Sequence, residues 1–122
     1  MKRDILDQLL KWKERPKRKP VIVRGARQVG KTTVIRQLGE YFDHFIEINF
    51  EEQPALGSYF EGSLDPKDIL HYLGNHLSVQ IKDEDTLLFF DEIQACPRAM
   101  LALRYFFEKR PRLHVIAAGS LL

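Results

Sequence analysis

Short apolar runs alternate with longer amphipathic stretches along this chain. Four runs have the length of buried strands, at residues 21–23, 45–50, 86–90 and 113–118. The segments between them place apolar residues three or four positions apart, which predicts helices. We expect those helices from Asp4 to about Trp12, over 31–41, from Pro66 through Leu77, and over 97–109. In residues 51–65 the apolar residues do not recur at a regular spacing, which predicts a loop.

Strands that alternate with helices favour an α/β fold, in which a parallel sheet is covered on both faces. The run from Val21 to Val23 is β-branched throughout, as is typical of a strand buried on both faces. On the next predicted helix, Val34, Leu38 and Tyr41 form one apolar stripe that would pack on the sheet. Ligands of such folds gather beyond the carboxyl ends of the strands, so chemistry is expected there.

The composition fits one compact domain, since the chain has 122 residues and 44% of them are hydrophobic. No apolar segment has the length of a membrane helix, and we expect no signal peptide, because the residues after Met1 lack its apolar stretch and small-residue cleavage site. We therefore expect a cytoplasmic protein without a membrane partner. The lone Cys96 predicts that no internal disulfide forms.

Charge is unevenly distributed along the chain. Residues 1–20 carry eight Lys and Arg against three acids, a balance of +5, whereas residues 21–122 carry −3. We expect a basic N-terminal helix and linker over 1–20, followed by the core over 21–122. A basic arm of this kind is either a solvated helix face or a contact for nucleic acid or an acidic neighbour.

The strongest motif matches G-x-x-x-x-G-K-[ST] at every fixed position and reads Gly25-Ala26-Arg27-Gln28-Val29-Gly30-Lys31-Thr32. It stands between a predicted strand and a predicted helix, the setting of a phosphate-binding loop. Its two glycines let successive amides turn inward around phosphate oxygens. Lys31 is expected to reach the β- and γ-phosphates, Thr32 to ligate Mg²⁺ and Thr33 to meet the α-phosphate. The motif therefore predicts binding of ATP together with Mg²⁺.

Two acids directly follow the third predicted strand. We expect Asp91 to hold Mg²⁺ through its hydration shell and Glu92 to orient and polarise the attacking water. Two such acids standing alone would equally suit solvation of a strand end or a helix cap. The fourth predicted strand leads into Ser120, whose hydroxyl would sense the γ-phosphate or the attacking water. A Gly-Ser pair after a strand is otherwise an ordinary turn. The predicted catalytic groups are thus Lys31, Glu92 and Ser120.

Several segments together resemble a known family: Arg24 to Thr32, Phe90 to Gln94, Cys96 to Ala99, and Ala117 to Leu122. They are similar to the AAA-type ATPase domain of a widespread bacterial and archaeal group of ATP-binding proteins, and the likeness spans nearly the whole chain. The resemblance implies a three-layer P-loop core with strand order 1-4-3-2. Members of that group commonly continue into a fifth strand, a helical lid and a C-terminal nuclease-like domain. By this comparison, the chain is expected to be an N-terminal part that stops before the fifth strand.

Three functions fit these features. The first is an ATPase whose hydrolysis drives remodelling of a protein partner or of nucleic acid. The second is a P-loop phosphotransferase, and the third is a non-hydrolysing nucleotide switch or an inactive fragment. In a homo-oligomer, a neighbouring subunit would supply an arginine finger, for which the candidates are Arg98, Arg104 and Arg110. These arginines would otherwise belong to a solvated helix face.

The remaining histidines and aromatics have plainer interpretations. The four histidines share no metal-ligand spacing, so we expect them at the surface or at helix ends: His44, His71, His76 and His114. Trp12 and Tyr105 are aromatic residues on amphipathic helices, which favours positions in the core over stacking on a base.

Overall fold

The structure is a computed structural model that describes residues 2–24 and 29–120. Its elements in chain order are α1 (Lys2–Lys13), β1 (Val21–Arg24), α2 (Val29–Gly39), β2 (His44–Asn49), a 3₁₀ helix (Pro54–Phe60), α3 (Pro66–Leu77), β3 (Thr86–Asp91), a short 3₁₀ helix (Ile93–Ala95), α4 (Pro97–Lys109) and β4 (His114–Gly119). Pro66 opens α3 and Pro97 opens α4, at positions where the backbone N–H has no partner within a helix. The Asp65 side chain caps α3 by accepting a hydrogen bond from the amide of Lys67.

The four strands form one sheet in the order β1-β4-β3-β2, and every neighbouring pair is parallel. The predicted α/β fold and strand order are therefore confirmed. The register pairs Arg24 with Gly119 and Asn49 with Asp91, so the carboxyl ends of all four strands lie at the same end of the sheet. That end carries the residues predicted to do chemistry.

One face of the sheet is covered by α3, α4 and the 3₁₀ helix at Pro54–Phe60. Alternate strand residues reach this face because side chains along a strand point to opposite sides. The centre of the layer is a group of buried aromatic rings in contact with one another: Phe50, Phe60, Phe90 and Phe106. Their burial fixes the end of β3, and thereby the residues that follow it.

The opposite face of the sheet is covered by α1 and α2. Leu9 and Trp12 of α1 are buried there against the apolar stripe of α2 and against Phe89 of β3. The expected core position of Trp12 is confirmed. The N-terminal helix thus packs into the same hydrophobic layer as the helix that follows the phosphate-loop motif.

Several local expectations are wrong. The predicted loop at 51–65 contains a 3₁₀ helix, because Leu56 and Phe60 turn back into the core. Tyr41 is 56% exposed, since α2 ends at Gly39 and leaves it in a turn. Ile22 is 38% exposed, because β1 is an edge strand with a neighbour on one side only among the described residues. Tyr105 lies at the surface of α4 rather than in the core.

The amino-terminal end of the sheet is held by polar side chains that bind backbone carbonyls. The buried guanidinium of Arg18 donates to the carbonyls of Arg112 and Arg15, and the Trp12 indole donates to the carbonyl of Lys19 at 2.8 Å. His114 is buried rather than at the surface, with Nε2 3.0 Å from the carbonyl of Lys13. These bonds fasten α1 and its linker to the start of β4.

No helix within residues 2–24 and 29–120 is both long enough and apolar enough to span a membrane.

Candidate nucleotide-binding site

A cleft of about 180 Å³ lies beyond the carboxyl ends of the strands. It is lined by the start of α2 and by the residues that follow β2, β3 and β4: Lys31, Thr32, Asn49, Glu51, Glu52, Asp91, Glu92, Gly119 and Ser120. The structure thus brings together five residues that the sequence assigns to one site, namely Lys31, Thr32, Asp91, Glu92 and Ser120. Open α/β sheets bind their ligands at this position.

The phosphate-loop motif is described in its second half only. Gly25, Ala26, Arg27 and Gln28 lie outside the described residues. Val29 and Gly30 form the first two positions of α2, so the helix starts two residues before the expected Lys31. The first amides of a helix lack intrahelical partners and carry the positive end of the helix dipole, which suits an anion. Lys31 and Thr32 reach the cleft from this first turn, and Thr33 beside them is half-buried.

Asp91 is the last residue of β3 and is partly buried in the cleft. Its Oδ1 accepts a hydrogen bond from the backbone amide of Glu92 at 2.9 Å. Burial raises the pKa of the Asp91 carboxyl, and the negative charges of Glu92 and Glu47 act in the same direction, while the Glu92 amide and Lys31 oppose them. A carboxylate that has lost water in this way gains from a cation placed beside it.

Glu92 is buried and has an unusual backbone conformation, with φ 49° and ψ 49°. This left-handed region is uncommon for a residue with a side chain and costs about 1 kcal/mol or more. The carboxylate oxygen Oε1 accepts from Gln94 Nε2 at 2.8 Å, from Ser120 Oγ at 3.1 Å and from the Ser120 amide at 3.3 Å. These donors compensate for the loss of water around a buried charge.

Ser120 follows β4 and faces Glu92 across the gap between two adjacent strands. Both its hydroxyl and its backbone amide bind the Glu92 carboxylate, so the Gly-Ser pair joins the ends of β3 and β4 in addition to turning the chain. The predicted sensor residue and the predicted base are therefore in direct contact.

Sequence reasoning did not single out Asn49, Glu51, Glu52 or Gln94. Asn49 ends β2 beside Asp91, and its Oδ1 accepts from the amides of Glu51 at 2.9 Å and Glu52 at 3.1 Å. This turn places the two acids on the cleft. Asn49 is a polar residue near the end of the predicted strand 45–50, which was the available signal for it. The position of Gln94 depends on a tight turn, which the spacing of apolar residues does not predict.

An apolar hollow of about 580 Å³ adjoins the cleft side of α2. It is lined by Gly30 and Lys31 and by residues of α1, the linker, β1 and α2: Ile5, Gln8, Leu9, Trp12, Arg15, Val21, Val23, Val34 and Ile35. Flat, apolar ligand groups bind in hollows with such walls.

The arginines considered as fingers are engaged within the chain. Arg98 donates to the carbonyls of Phe60 at 2.7 Å and Gly62 at 2.8 Å, which fastens the 3₁₀ helix to α4. Arg110 binds Asp83 at 2.5 Å, and Arg104 pairs with Glu108 along α4. Of the three, Arg104 forms its pair at an exposed position, where an ion pair contributes little to stability.

Within the described residues, no group of three or more His, Cys, Asp and Glu side chains is arranged to hold a metal ion. The donors near Thr32 and Asp91 instead suit Mg²⁺, which commonly takes one or two protein oxygens and completes its shell with water and phosphate.

Comparison with known proteins agrees with the geometry. The family model described as an AAA domain matches residues 17–122. A search of curated proteins found no match. The family match covers far more than half of the chain and includes every residue of the cleft. The chain therefore belongs to the AAA domain family, a family of nucleotide-binding domains of the ATPase type.

Proposed function

We propose that this domain binds ATP as its Mg²⁺ complex and hydrolyses the β–γ phosphoanhydride bond. The observation that carries the proposal is the meeting of Lys31 and Thr32 with Asp91 and Glu92 in one cleft. A cation from the first turn of a helix and two acids from the end of a neighbouring strand are the groups needed for phosphoryl transfer to water.

Binding is assigned to the start of α2. The amides of the motif from Gly25 to Thr33 would surround the phosphates, and the Lys31 ammonium would contact the β- and γ-phosphate oxygens. Thr32 and Asp91 would hold the Mg²⁺ ion. Bound Mg²⁺ neutralises charge that develops on the phosphate oxygens. The half-buried Asp91 suits this role, because burial has already made its charge costly without a cation.

Hydrolysis is assigned to Glu92. Its carboxylate lies at the cleft wall next to Asp91 and would orient a water molecule and take up its proton as the water attacks the γ-phosphorus. Ser120 binds the same carboxylate, so its hydroxyl is placed to respond when the γ-phosphate is present or absent.

The nucleobase is assigned to the apolar hollow between α1, β1 and α2. The only tryptophan of the chain, Trp12, lines the hollow, and Lys31 lines both the hollow and the cleft. Entry of a base there would bring an aromatic ring close to Trp12 and change the intrinsic fluorescence of the chain.

Phosphate release tests the proposed hydrolysis. We expect Glu92→Gln to retain MgATP binding and to lower turnover about 100-fold or more, because it removes the group that accepts the proton. Glu61→Gln, an exposed carboxylate away from the cleft, is the matched control and should turn over as the wild type does. Equal turnover of wild type and Glu92→Gln would contradict the assignment.

The same assay separates the two other functions. MgATP binding without phosphate release by the wild type would support a nucleotide switch. Phosphate transfer that requires an added acceptor would support a phosphotransferase.

We further propose that hydrolysis acts on a polyanionic partner such as nucleic acid. A hollow of about 590 Å³ at the amino-terminal end of the sheet is lined by five cations and two acids: Lys13, Arg15, Lys17, Arg18, Arg112, Glu14 and Glu84. Both acids pair with cations of the hollow, whereas Arg15 and Lys17 have no acidic partner among the described residues. These two cations are the ones available to phosphates.

Single-stranded DNA binding at increasing salt tests this partner. We expect the double variant Arg15→Ala with Lys17→Ala to bind DNA more weakly. The slope of log affinity against log salt concentration should be smaller by about one to two units, because binding releases fewer counterions when phosphate contacts are lost. The pair Arg104→Ala with Lys82→Ala removes the same charge from another exposed surface and is the control. Identical slopes in all three proteins would contradict the proposal.

A further inference from the structure

Gln94 lies close to the carboxylate that is assigned to hydrolysis. Its Nε2 donates to Oε1 of Glu92 at 2.8 Å, a shorter hydrogen bond than the two that Ser120 donates to the same oxygen. Gln94 follows β3 and Ser120 follows β4. One oxygen of Glu92 is therefore bound by two separate segments, the one after β3 and the one after β4.

The contact depends on the backbone turn at Glu92. Glu92 is in the left-handed region and begins the short 3₁₀ helix Ile93–Ala95. The amide of Ala95 binds the carbonyl of Glu92 at 3.1 Å, and the amide of Cys96 binds the carbonyl of Ile93 at 2.9 Å. Ile93 is fully buried and anchors the turn in the core. A turn this tight brings residue 94 back beside the side chain of residue 92.

Asn49 is an amide side chain that lines the cleft, and its hydrogen bonds differ from those of Gln94. Its Oδ1 accepts from the amides of Glu51 and Glu52 and so shapes the loop after β2. Gln94, in contrast, donates to the Glu92 carboxylate, as Ser120 does. The two amide side chains therefore support different walls of the same cleft.

Gln94 also has a polar atom directed away from this bond. Its Oε1 is buried and has no hydrogen-bond partner within residues 2–24 and 29–120. A buried acceptor in that condition is expected to find a partner when a ligand or an ordered water arrives. The Gln94 side chain therefore donates one hydrogen bond to the Glu92 carboxylate through Nε2. Its Oε1 remains able to accept a hydrogen bond from a further donor.

We propose that Gln94 is a positioning residue for the hydrolysis, which holds Oε1 of Glu92 together with Ser120 and thereby sets the direction of the carboxylate toward the attacking water. This inference rests on the proposed function. Gln94 does not touch the phosphates or the reacting atoms in this account, and it acts only through Glu92. A misdirected carboxylate would slow the chemical step and would leave nucleotide binding unchanged.

The test is single-turnover hydrolysis and MgATP affinity for Gln94→Leu, which keeps the size of the side chain and removes both polar atoms. We expect turnover to fall roughly 10- to 100-fold at unchanged affinity. Gln94→Glu should fall at least as far, because it places a second negative charge against Glu92. Gln80→Leu, an exposed glutamine after α3, is the matched control and should match the wild type.

A double-mutant cycle shows whether Gln94 acts through Glu92. In a Glu92→Gln background, Gln94→Leu should change the residual turnover by less than about twofold, because the group that it positions is gone. Thermal unfolding of each variant shows whether the loss of rate follows a loss of folded protein.

Each other outcome overturns a defined part of the account. Turnover of Gln94→Leu equal to that of Gln80→Leu overturns the positioning role and leaves hydrolysis by Glu92 standing. A rate loss that persists in the Glu92→Gln background, or that tracks weaker MgATP binding or a lower unfolding temperature, assigns Gln94 a different role and overturns the inference. No turnover by the wild type above the Glu92→Gln level overturns both the hydrolysis and the positioning role.

Discussion

The buried polar side chains at the two ends of the sheet bind different kinds of group. At the amino-terminal end, Arg18, Trp12 and His114 each bind backbone carbonyl groups. At the carboxyl end, Gln94 and Ser120 bind the side chain of Glu92. A bond to the backbone fixes the path of the chain, whereas bonds among side chains can be exchanged when a ligand enters. The bonds at the first end fix the backbone, and those at the second end hold the carboxylate to which we assign hydrolysis.

The backbone shows the same difference. Two non-glycine residues among those described have positive φ, Ser78 and Glu92. Ser78 ends α3, where a left-handed residue is the ordinary way to stop a helix, and its amide binds back to the last turn. Glu92 has no such helix to end, and it lies in the cleft. Strain at a position of this kind is found where a side chain must be aimed at a ligand.

The largest effect is expected on the free energy of unfolding, from replacement of Arg18. Arg18→Ala removes charged hydrogen bonds to the carbonyls of Arg112 and Arg15 from a buried position, and should lower the free energy of unfolding by about 3 kcal/mol. MgATP affinity of the folded protein should stay unchanged, because the cleft is at the other end of the sheet. Urea unfolding and nucleotide titration of the same sample measure both quantities.

Lys17→Ala is the matched control for Arg18→Ala. Lys17 is an exposed cation of the same linker, and its removal should change the free energy of unfolding by less than about 0.5 kcal/mol. Equal destabilisation by both variants would show that Arg18 contributes only its charge. Its hydrogen bonds to backbone carbonyls would then not stabilise the amino-terminal end of the sheet.

A smaller effect is expected from acid, through His114. Burial lowers the pKa of the His114 imidazole below its ordinary value of 6.5, with Arg18 adding to the shift and Glu84 and the Lys13 carbonyl opposing it. The unfolded chain therefore binds a proton at a pH where the folded chain does not. The free energy of unfolding therefore decreases as the pH falls below 6.5, by at most about 1.4 kcal/mol per pH unit for one proton.

His114→Gln should remove this part of the pH dependence, whereas His71→Gln, at an exposed position on α3, should retain it. Unfolding by urea at pH 7.5 and at several lower values gives the slopes. A slope in His114→Gln equal to that of the wild type would place the sensitive group elsewhere.

The elements of the fold were largely predictable because local pattern and global packing agree. Pro97 to Lys109 is a helix with the predicted bounds, since proline opens it and one apolar stripe runs along it. Ile22 and Tyr41 were predicted wrongly for a common reason. Apolar character indicates that a residue can be buried, but only the neighbours of β1 and the end of α2 decide whether it is.

The site was predictable as far as it depends on motifs. The motif identifies Lys31 and Thr32, and the apolar strand identifies the acids Asp91 and Glu92 at its end, and these four residues meet in one cleft. The contact of Gln94 with Glu92 could not be predicted, because it requires a left-handed backbone at a glutamate, which no residue preference favours. The fastening role of Arg18 was hidden for a similar reason, since a basic arm gives no sign of which cation turns inward.

The most direct test of the central claim is titration of a fluorescent ATP analogue, with Mg²⁺, into the wild type and into Lys31→Ala. The account predicts that affinity falls about 10- to 100-fold in Lys31→Ala, because a charge-assisted bond to phosphate is lost, and that Lys67→Ala on α3 binds as the wild type does. Equal affinity of wild type and Lys31→Ala, or no binding by the folded wild type, would contradict the assignment of this cleft to a nucleoside triphosphate.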